Sequence, residues 1–498
     1  MSRLGQSKWA GLLDLTIDPS RSVPIARQIF LQLRLAIVEH ALPAGSSIPS
    51  TRELAQRIGV SRTSVITAYD ELYAEGYIEG RQGSGTYIAR DLPQIVEPLE
   101  RISPSSARAS SRRLSESGYR YRDVSKRDLL TVDQPFSVGR CSVDAQTIKA
   151  WRRVSLRHQN SVPLDALGYS DPFGRESFRQ VIAEYLRVFR AVRCTAEQII
   201  ITSGAQQAID LSIRVLLNRN VPVWVEDPSY PATLRALLAA DMRPVPVPVD
   251  SDGLRVAIGI EKEPAPRAIF VTPSHQYPTG AVMSMNRRLE LLAAASKADA
   301  WIIEDDYDSE FRYAGQPLSS LQGLDQNARV IYVGTLSKVL FPALRTGFAV
   351  IPLDLADAYR GARYLTDRGP PIFYQQAIED FMREGFFTSH IRRMRQRYRE
   401  ARDFVVRNLR ETLAPFATVD VPDGGMHVVA YLAAGLDDRA VAEEAMRRDV
   451  VVRPLSPLYI DAAPCSGLDI GFTGFDHARM QIAAVRLGEA LRQVAKAA

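Results

Sequence analysis

At 498 residues, with 46% hydrophobic and 24% charged side chains, the chain has a globular composition and a length suited to roughly two to four domains. A formal charge of +5 and a pI near 9.0 admit nucleic acid as a partner without requiring it. No stretch approaches the roughly 18 apolar residues of a membrane span, and the opening MSRLGQSKWAGLLDL lacks the core and cleavage site of an export signal, so neither a membrane nor a secreted protein is expected. Cys141, Cys194 and Cys465 are far apart and have no histidine at ligand spacing. The expectation is three buried thiols in a reducing cytosol, with no disulfide and no metal.

In residues 24–40, Ile25, Ile29, Leu33 and Ile37 recur every fourth position, which predicts a helix with Pro24 in its first turn. Pro43, Gly45 and Pro49 break the chain, after which Ser50 or Thr51 can cap a short helix over about 51–58. Gly59 ends that helix, Ser61 caps another over about 62–75, and Gly76 stops it. Tyr77-Ile78-Glu79 and Thr86-Tyr87-Ile88 flank the turn Arg81-Gln82-Gly83-Ser84-Gly85, which reads as a two-stranded wing. Between Arg101 and Arg127 eight basic residues face two acids among many serines, which predicts a flexible basic linker. Beyond it, helical patterns alternate with six short apolar runs (199–202, 221–227, 268–273, 300–306, 330–335 and 347–351), which predicts a mostly parallel sheet with helices on both faces. The last hundred or so residues suggest a small C-terminal lobe. The expected division is 15–90, 91–134 and 135–498.

The run PSTRELAQRIGVSRTSVITAYDELYAEG resembles the winged helix-turn-helix reader of the GntR family. Residues opening the second helix of such a pair reach base edges in the major groove. Ser61, Arg62, Thr63 and Ser64 occupy that turn; Arg62 can fork onto guanine, and Thr63 and Ser64 can reach base or phosphate. The resemblance adds Arg52 as a DNA contact, and Gly83, Ser84 and Gly85 would form a wing tip able to approach the phosphates closely.

From about residue 135 the chain resembles the fold-type I, pyridoxal phosphate (PLP)-dependent aminotransferases. In SK-x(6)-R, the resemblance makes Lys338 the amine that carries PLP as a Schiff base, with Arg345, Thr335 and Ser337 on the phosphate. Ser203, Gly204, Ala205 and Gln206 of TSGAQQAID would offer a helix N-terminus to the same phosphate. Tyr230 would stack on the pyridine and Asp305 would pair with its nitrogen. Asp306 is adjacent, and the choice between the two carboxylates rests on resemblance. Tyr307 would bind the ring's phenolic oxygen, and Tyr169 would reach a partner subunit's phosphate, which implies a homodimer.

Two departures bear on the ligand. TPSHQYPTG places Tyr277, with His275 and Gln276 nearby, where relatives have an asparagine; the HQ variant is typical of regulators with this architecture. LDIGF puts Asp469 where aminotransferases carry the arginine that anchors a substrate carboxylate, and Arg453 is the nearest substitute. An ordinary amino acid would meet a like charge at Asp469.

Domain order included, the whole resembles the MocR subfamily of GntR regulators. The implied protein is an α+β winged helix-turn-helix followed by an α/β PLP-transferase-like domain, cytoplasmic and dimeric head to tail. Its partners would be operator DNA, PLP and a small amine or amino-acid-derived ligand. The larger domain would be a sensor with at most vestigial transamination. A working aminotransferase fused to a DNA reader, and a cofactor-free dimerisation scaffold, are the rival readings.

Overall fold

The computed structural model describes residues 15–81, 84–92, 113–127, 133–160, 168–315 and 319–497, in two compact units that divide after Arg113. The first comprises α1 (Ile25–Val38), β1 (Ser47–Ile48), α2 (Thr51–Ile58), α3 (Arg62–Ala74), β2 (Ile78–Arg81) and β3 (Gly85–Ile88). Ser50 caps α2 by accepting from the Glu53 N–H at 3.2 Å, and Ser61 caps α3 from the Ser64 N–H at 3.1 Å. Gly59 closes α2 at φ +69°, a left-handed conformation that a side chain would disfavour. Ile29, Phe30 and Leu33 of α1 pack on Leu54 of α2 and on Val65, Ala68 and Leu72 of α3. The predicted wing is present, with β2 and β3 antiparallel. A third strand, β1, extends this sheet; two residues between prolines were too short to signal it.

The second unit opens with α4 (Glu116–Arg127), α5 (Ala145–Asn160) and α6 (Glu176–Arg190). The alternating region follows as β4 (Ile199–Thr202), α7 (Ala205–Leu216), β5 (Pro222–Asp227), α8 (Pro231–Ala239), β6 (Arg243–Asp250), β7 (Gly253–Leu254) and α9 (Val256–Lys262). It continues through β8 (Ala268–Val271), α10 (Met285–Lys297), β9 (Trp301–Asp306), α11 (Leu321–Leu324), β10 (Val330–Thr335) and β11 (Gly347–Val350). Helices α12 (Ala356–Asp367), α13 (Ile372–Arg383) and α14 (Phe386–Leu413) lead into a lobe of β12 (Ala417–Val419), β13 (His427–Leu432), α15 (Asp438–Met446), β14 (Arg453–Pro454), β15 (Gly467–Gly471) and α16 (His477–Ala497).

The large sheet has the order β4-β11-β10-β9-β8-β5-β6-β7, parallel except for β11 and β7. All six predicted apolar runs are strands in it. The sequence missed β6, RPVPVPVD, because alternating prolines argue against a strand. Their period of two puts every missing N–H on one side of the strand, and β5 pairs with residues 243–248 along the other. The lobe carries a second, antiparallel sheet, β12-β13-β15-β14.

The segment read as a flexible linker is helical over 116–127. It docks where α8 ends: Ser117 Oγ donates to the Ala239 carbonyl at 2.9 Å, Arg120 donates to the Leu238 carbonyl, and Arg120 pairs with Asp241 at 2.7 Å. Exposed carbonyls at a helix C-terminus attract cations, so a polar segment can dock without an apolar face. Hydrophobic periodicity carries no trace of such a contact. Burial of the cysteines differs from expectation: only Cys194 is buried, with Cys141 and Cys465 half-buried.

Candidate functional site

In the first unit, Arg52 opens α2 and Arg62 opens α3, and Arg62 Nε lies 3.4 Å from Thr51 Oγ1, so both arginines stand at one junction. Arg52, Arg62 and Thr63 are exposed. Ser61 and Ser64 are engaged with each other, Oγ to Oγ at 2.8 Å, in addition to the backbone cap. The turn therefore presents Arg62 and Thr63 outward, while the two serines hold its shape. Ser84 and Gly85 are exposed at the wing, where Ser84 Oγ meets the Tyr87 hydroxyl at 3.0 Å. Gly83 lies outside the described residues.

In the second unit, the parallel strands set the site. β9 and β10 run in register, Val333 opposite Asp305, so that the ends of both deliver side chains to one edge. Beyond β10 the chain turns through Ser337 and Lys338, whose Nζ lies 3.3 Å from the Gly139 carbonyl. Burial pushes the Lys338 amine below its usual range, easing loss of its charge. Successive residues of β9 point to opposite faces, which separates the two aspartates. Asp306 pairs with Arg190 at 2.6 Å and accepts from the Tyr332 hydroxyl at 2.6 Å. Asp305 Oδ1 is buried without a partner. Burial, reinforced by Asp306, Glu226 and Asp308, lifts the Asp305 carboxyl to about 7, and Lys338 opposes the shift.

At the end of β4, Gly204 is the N-cap of α7 at φ +116°, with no side chain capping the helix. A Cβ on Gly204 would meet the Arg345 guanidinium at 3.6 Å, so Arg345 faces this helix terminus. Beside it, Thr335 Oγ1 accepts from the Ser337 N–H at 3.1 Å, and Ser337 Oγ is buried and unpartnered. An uncapped helix start, a guanidinium and the idle Ser337 hydroxyl together favour an anion. Ala205 and Gln206 form the first turn, and Ser203 N–H is already spent on Gln207 Oε1 at 2.7 Å. Tyr230 stands edge-on to Tyr277 with ring centres 5.4 Å apart. Tyr307 OH lies 3.1 Å from His275 Nδ1. Tyr169 is apart from this cluster and 86% exposed, with Arg368 5.3 Å above its ring.

Arg453 and Asp469 prove to be cross-strand neighbours on β14 and β15. Arg453 donates to the Tyr277 hydroxyl at 2.6 Å, and that hydroxyl donates to Asp469 Oδ2 at 2.8 Å. Asp469 is fully buried, whereas Arg453 remains exposed. The aspartate thus grips Tyr277, and the arginine is the charged end that stays open.

Sequence reasoning missed Asp308, His427 and Gly139. Asp308 Oδ2 holds His275 Nδ1 at 3.1 Å, and its charge outweighs burial to raise the imidazole above its usual range. His427 lies beside His275, ring centres 5.0 Å apart; burial pushes it down, and its Nε2 meets the Pro278 carbonyl at 3.1 Å. The acidic run IIEDDYD contains Asp308, so a signal existed there. Nothing local marks Gly139 or His427, which tertiary folding alone brings in.

The bacterial gntR-family regulatory-protein model matches residues 25–88, and the aminotransferase class I and II model matches residues 134–487. Over 467 residues, the chain is 39% identical to the probable rhizopine catabolism regulatory protein MocR of Rhizobium meliloti, covering 94% of each. The chain belongs to the MocR subfamily of GntR regulators. Another MocR-type relative, the pyridoxine biosynthesis transcriptional regulator PdxR of Corynebacterium glutamicum, is 29% identical over 96% of this chain and 98% of its own. Among solved structures, the α-aminoadipate aminotransferase LysN of Thermus thermophilus, complexed with N-(5'-phosphopyridoxyl)-L-leucine, superposes with a TM-score of 0.71 at 27% identity, covering 77% of this chain and 98% of that one. The MocR-type architecture thus accounts for both units, a GntR reader and a class I and II aminotransferase fold.

Proposed function

We propose that this MocR-type regulator binds operator DNA through its first unit and PLP through its second, and that PLP, alone or with a small amine or amino-acid-derived ligand, sets its affinity for the operator. The observation that carries the PLP reading is Asp305, whose Oδ1 is buried without a partner and whose raised carboxyl interacts with the Lys338 amine. A buried acceptor left unsatisfied is costly unless a ligand completes it. The residues fit the cofactor: Lys338 for covalent attachment, Asp305 for the pyridine nitrogen, and Tyr230 for the ring face. Tyr307 and His275 suit the phenolic oxygen. Arg345, Thr335, Ser337 and the Gly204–Gln206 turn suit the phosphate.

PLP supplies an aldehyde that condenses with primary amines. Around it, Asp305 would hold a proton at the ring nitrogen, and Lys338, partly relieved of its charge, would act as nucleophile. Arg453, steadied by Tyr277 and Asp469, would meet the distal end of an incoming amine. Exposed Tyr169 suits a head-to-tail homodimer in which it reaches the partner's phosphate site. Genes of vitamin B6 or amino-compound metabolism are the proposed targets, a cytoplasmic role. A ligand must favour one arrangement of the two readers to act as a switch.

The test is the visible spectrum of purified protein before and after adding amines, with borohydride trapping and peptide mapping. Trapping on a lysine other than Lys338, or a colourless protein that rejects PLP, overturns the reading. The competing reading, a working aminotransferase, rests on the same Lys338 and Asp305 geometry, and turnover with a panel of amino donors separates the two.

A further inference from the structure

The second unit holds a cavity of about 490 Å³ beside the 308–315 loop, within the range of small-molecule sites. Of the residues assigned above to PLP, only His275 lines it. One wall is apolar, made by Tyr185 and Phe189 of α6 with Phe311 and Ile391. Phe189 is 46% exposed, so an aromatic face stands open at the rim.

Arg312, Arg395 and Arg399 line the other wall. Among the described residues none of the three pairs with a carboxylate. Arg395 Nε donates to the Glu310 carbonyl at 2.9 Å and Arg399 Nη2 to the Tyr313 carbonyl at 2.7 Å, which fixes both side chains and leaves their other N–H groups available. Arg312 Nε, Ser309 Oγ and His275 Nε2 are buried without partners, and His275 is 5% exposed. Two acids also line the space, but both are engaged: Asp308 with His275 and Glu310 with the Tyr185 hydroxyl. Arg190, a further lining residue, is already paired with Asp306. Three guanidinium groups, an aromatic face and idle buried donors are complementary to negative charge on a flat body.

We propose that this cavity is a second ligand site, which takes a small organic anion: a carboxylate or phosphate on Arg312, Arg395 and Arg399, and an apolar ring against Tyr185 and Phe189. Its shared wall links it to the first site, because His275 lines the cavity, has its Nε2 unpartnered, and meets Tyr307 and Asp308 through Nδ1. The second site does not require PLP to be bound.

Titration calorimetry of the full-length protein with benzoate, phenyl phosphate and, as neutral control, benzyl alcohol tests this. At least one anion binds at millimolar or lower concentration and the alcohol does not; the tighter of the two anions identifies the head group. Arg312→Gln with Arg395→Gln weakens the anion at least about tenfold while the visible spectrum is unchanged. Arg399→Glu, an exposed charge reversal, weakens it as well and covers the case of a poorly folding double variant. Lys338→Ala leaves it bound, which separates this result from the fate of the PLP reading. Failure of both anions to bind, equal binding of the alcohol, undiminished binding in the arginine variants, or loss in Lys338→Ala overturns the proposal.

Discussion

The two units build their sites in opposite ways. In the reader, the candidate DNA contacts of α3 lie within four consecutive residues, with Arg62 and Thr63 exposed, on a helix start shaped by the Ser61 cap. Around Lys338, the site collects residues from Gly139 to Asp469 and leaves buried polar atoms unpartnered. The first is a surface on a self-sufficient scaffold, where substitution changes binding and spares the fold. The second is a cluster of side chains whose buried, unsatisfied groups cost stability. The two units therefore draw on different energetics, charge display in one and deferred satisfaction of buried groups in the other.

The largest expected effect lies in the second unit. Lys338→Ala should abolish the visible absorbance of bound PLP and all borohydride trapping at that position, while circular dichroism and sedimentation stay unchanged, since only the attachment point is lost. Next comes the reader: Arg62→Ala should weaken binding to a selected operator by roughly 1–3 kcal/mol and relax specificity at one base pair per half-site, measured by competitive titration. Equal losses on operator and random duplex would make Arg62 a phosphate contact.

The third prediction tests deferred satisfaction through pH. Burial lifts the carboxyls of Asp305, Glu226, Glu304 and Glu310 to about 7. Between about pH 4 and about pH 7 the folded state therefore holds more protons than the unfolded chain, so stability falls as pH rises through that window. Cofactor-stripped protein should melt at lower temperature at pH 8 than at pH 5, and Asp305→Asn should reduce that difference. An unchanged difference would mean that Asp305 is not among the strained groups. The smallest effect is expected from Ser61→Ala, which removes a helix cap at a cost of about 1 kcal/mol. Thermal unfolding of the reader should register it, with little change in the visible spectrum.

The sequence was most legible where structure is local. The helices over 51–58 and 62–75, the wing pairing and the six apolar runs follow from capping, periodicity and turn chemistry, all within a few residues of each other. Motif order also set Asp305, Lys338 and the Gly204 turn at or just beyond the ends of parallel strands, which share one edge, and Arg345 just before antiparallel β11, whose start lies at that edge. What the sequence left open was decided by packing. Strand alternation and the buried Arg190 partner distinguish Asp305 from Asp306. The 116–127 helix forms against carbonyls of α8, a contact between polar groups with no signature in hydrophobic period. Arg453 and Asp469, sixteen positions apart in sequence, become cross-strand partners joined through Tyr277, a residue nearly two hundred positions earlier. Local propensity and motif spacing determine which elements form; which buried charge finds a partner, and which is left waiting for one, is a property of distances that only the folded chain possesses.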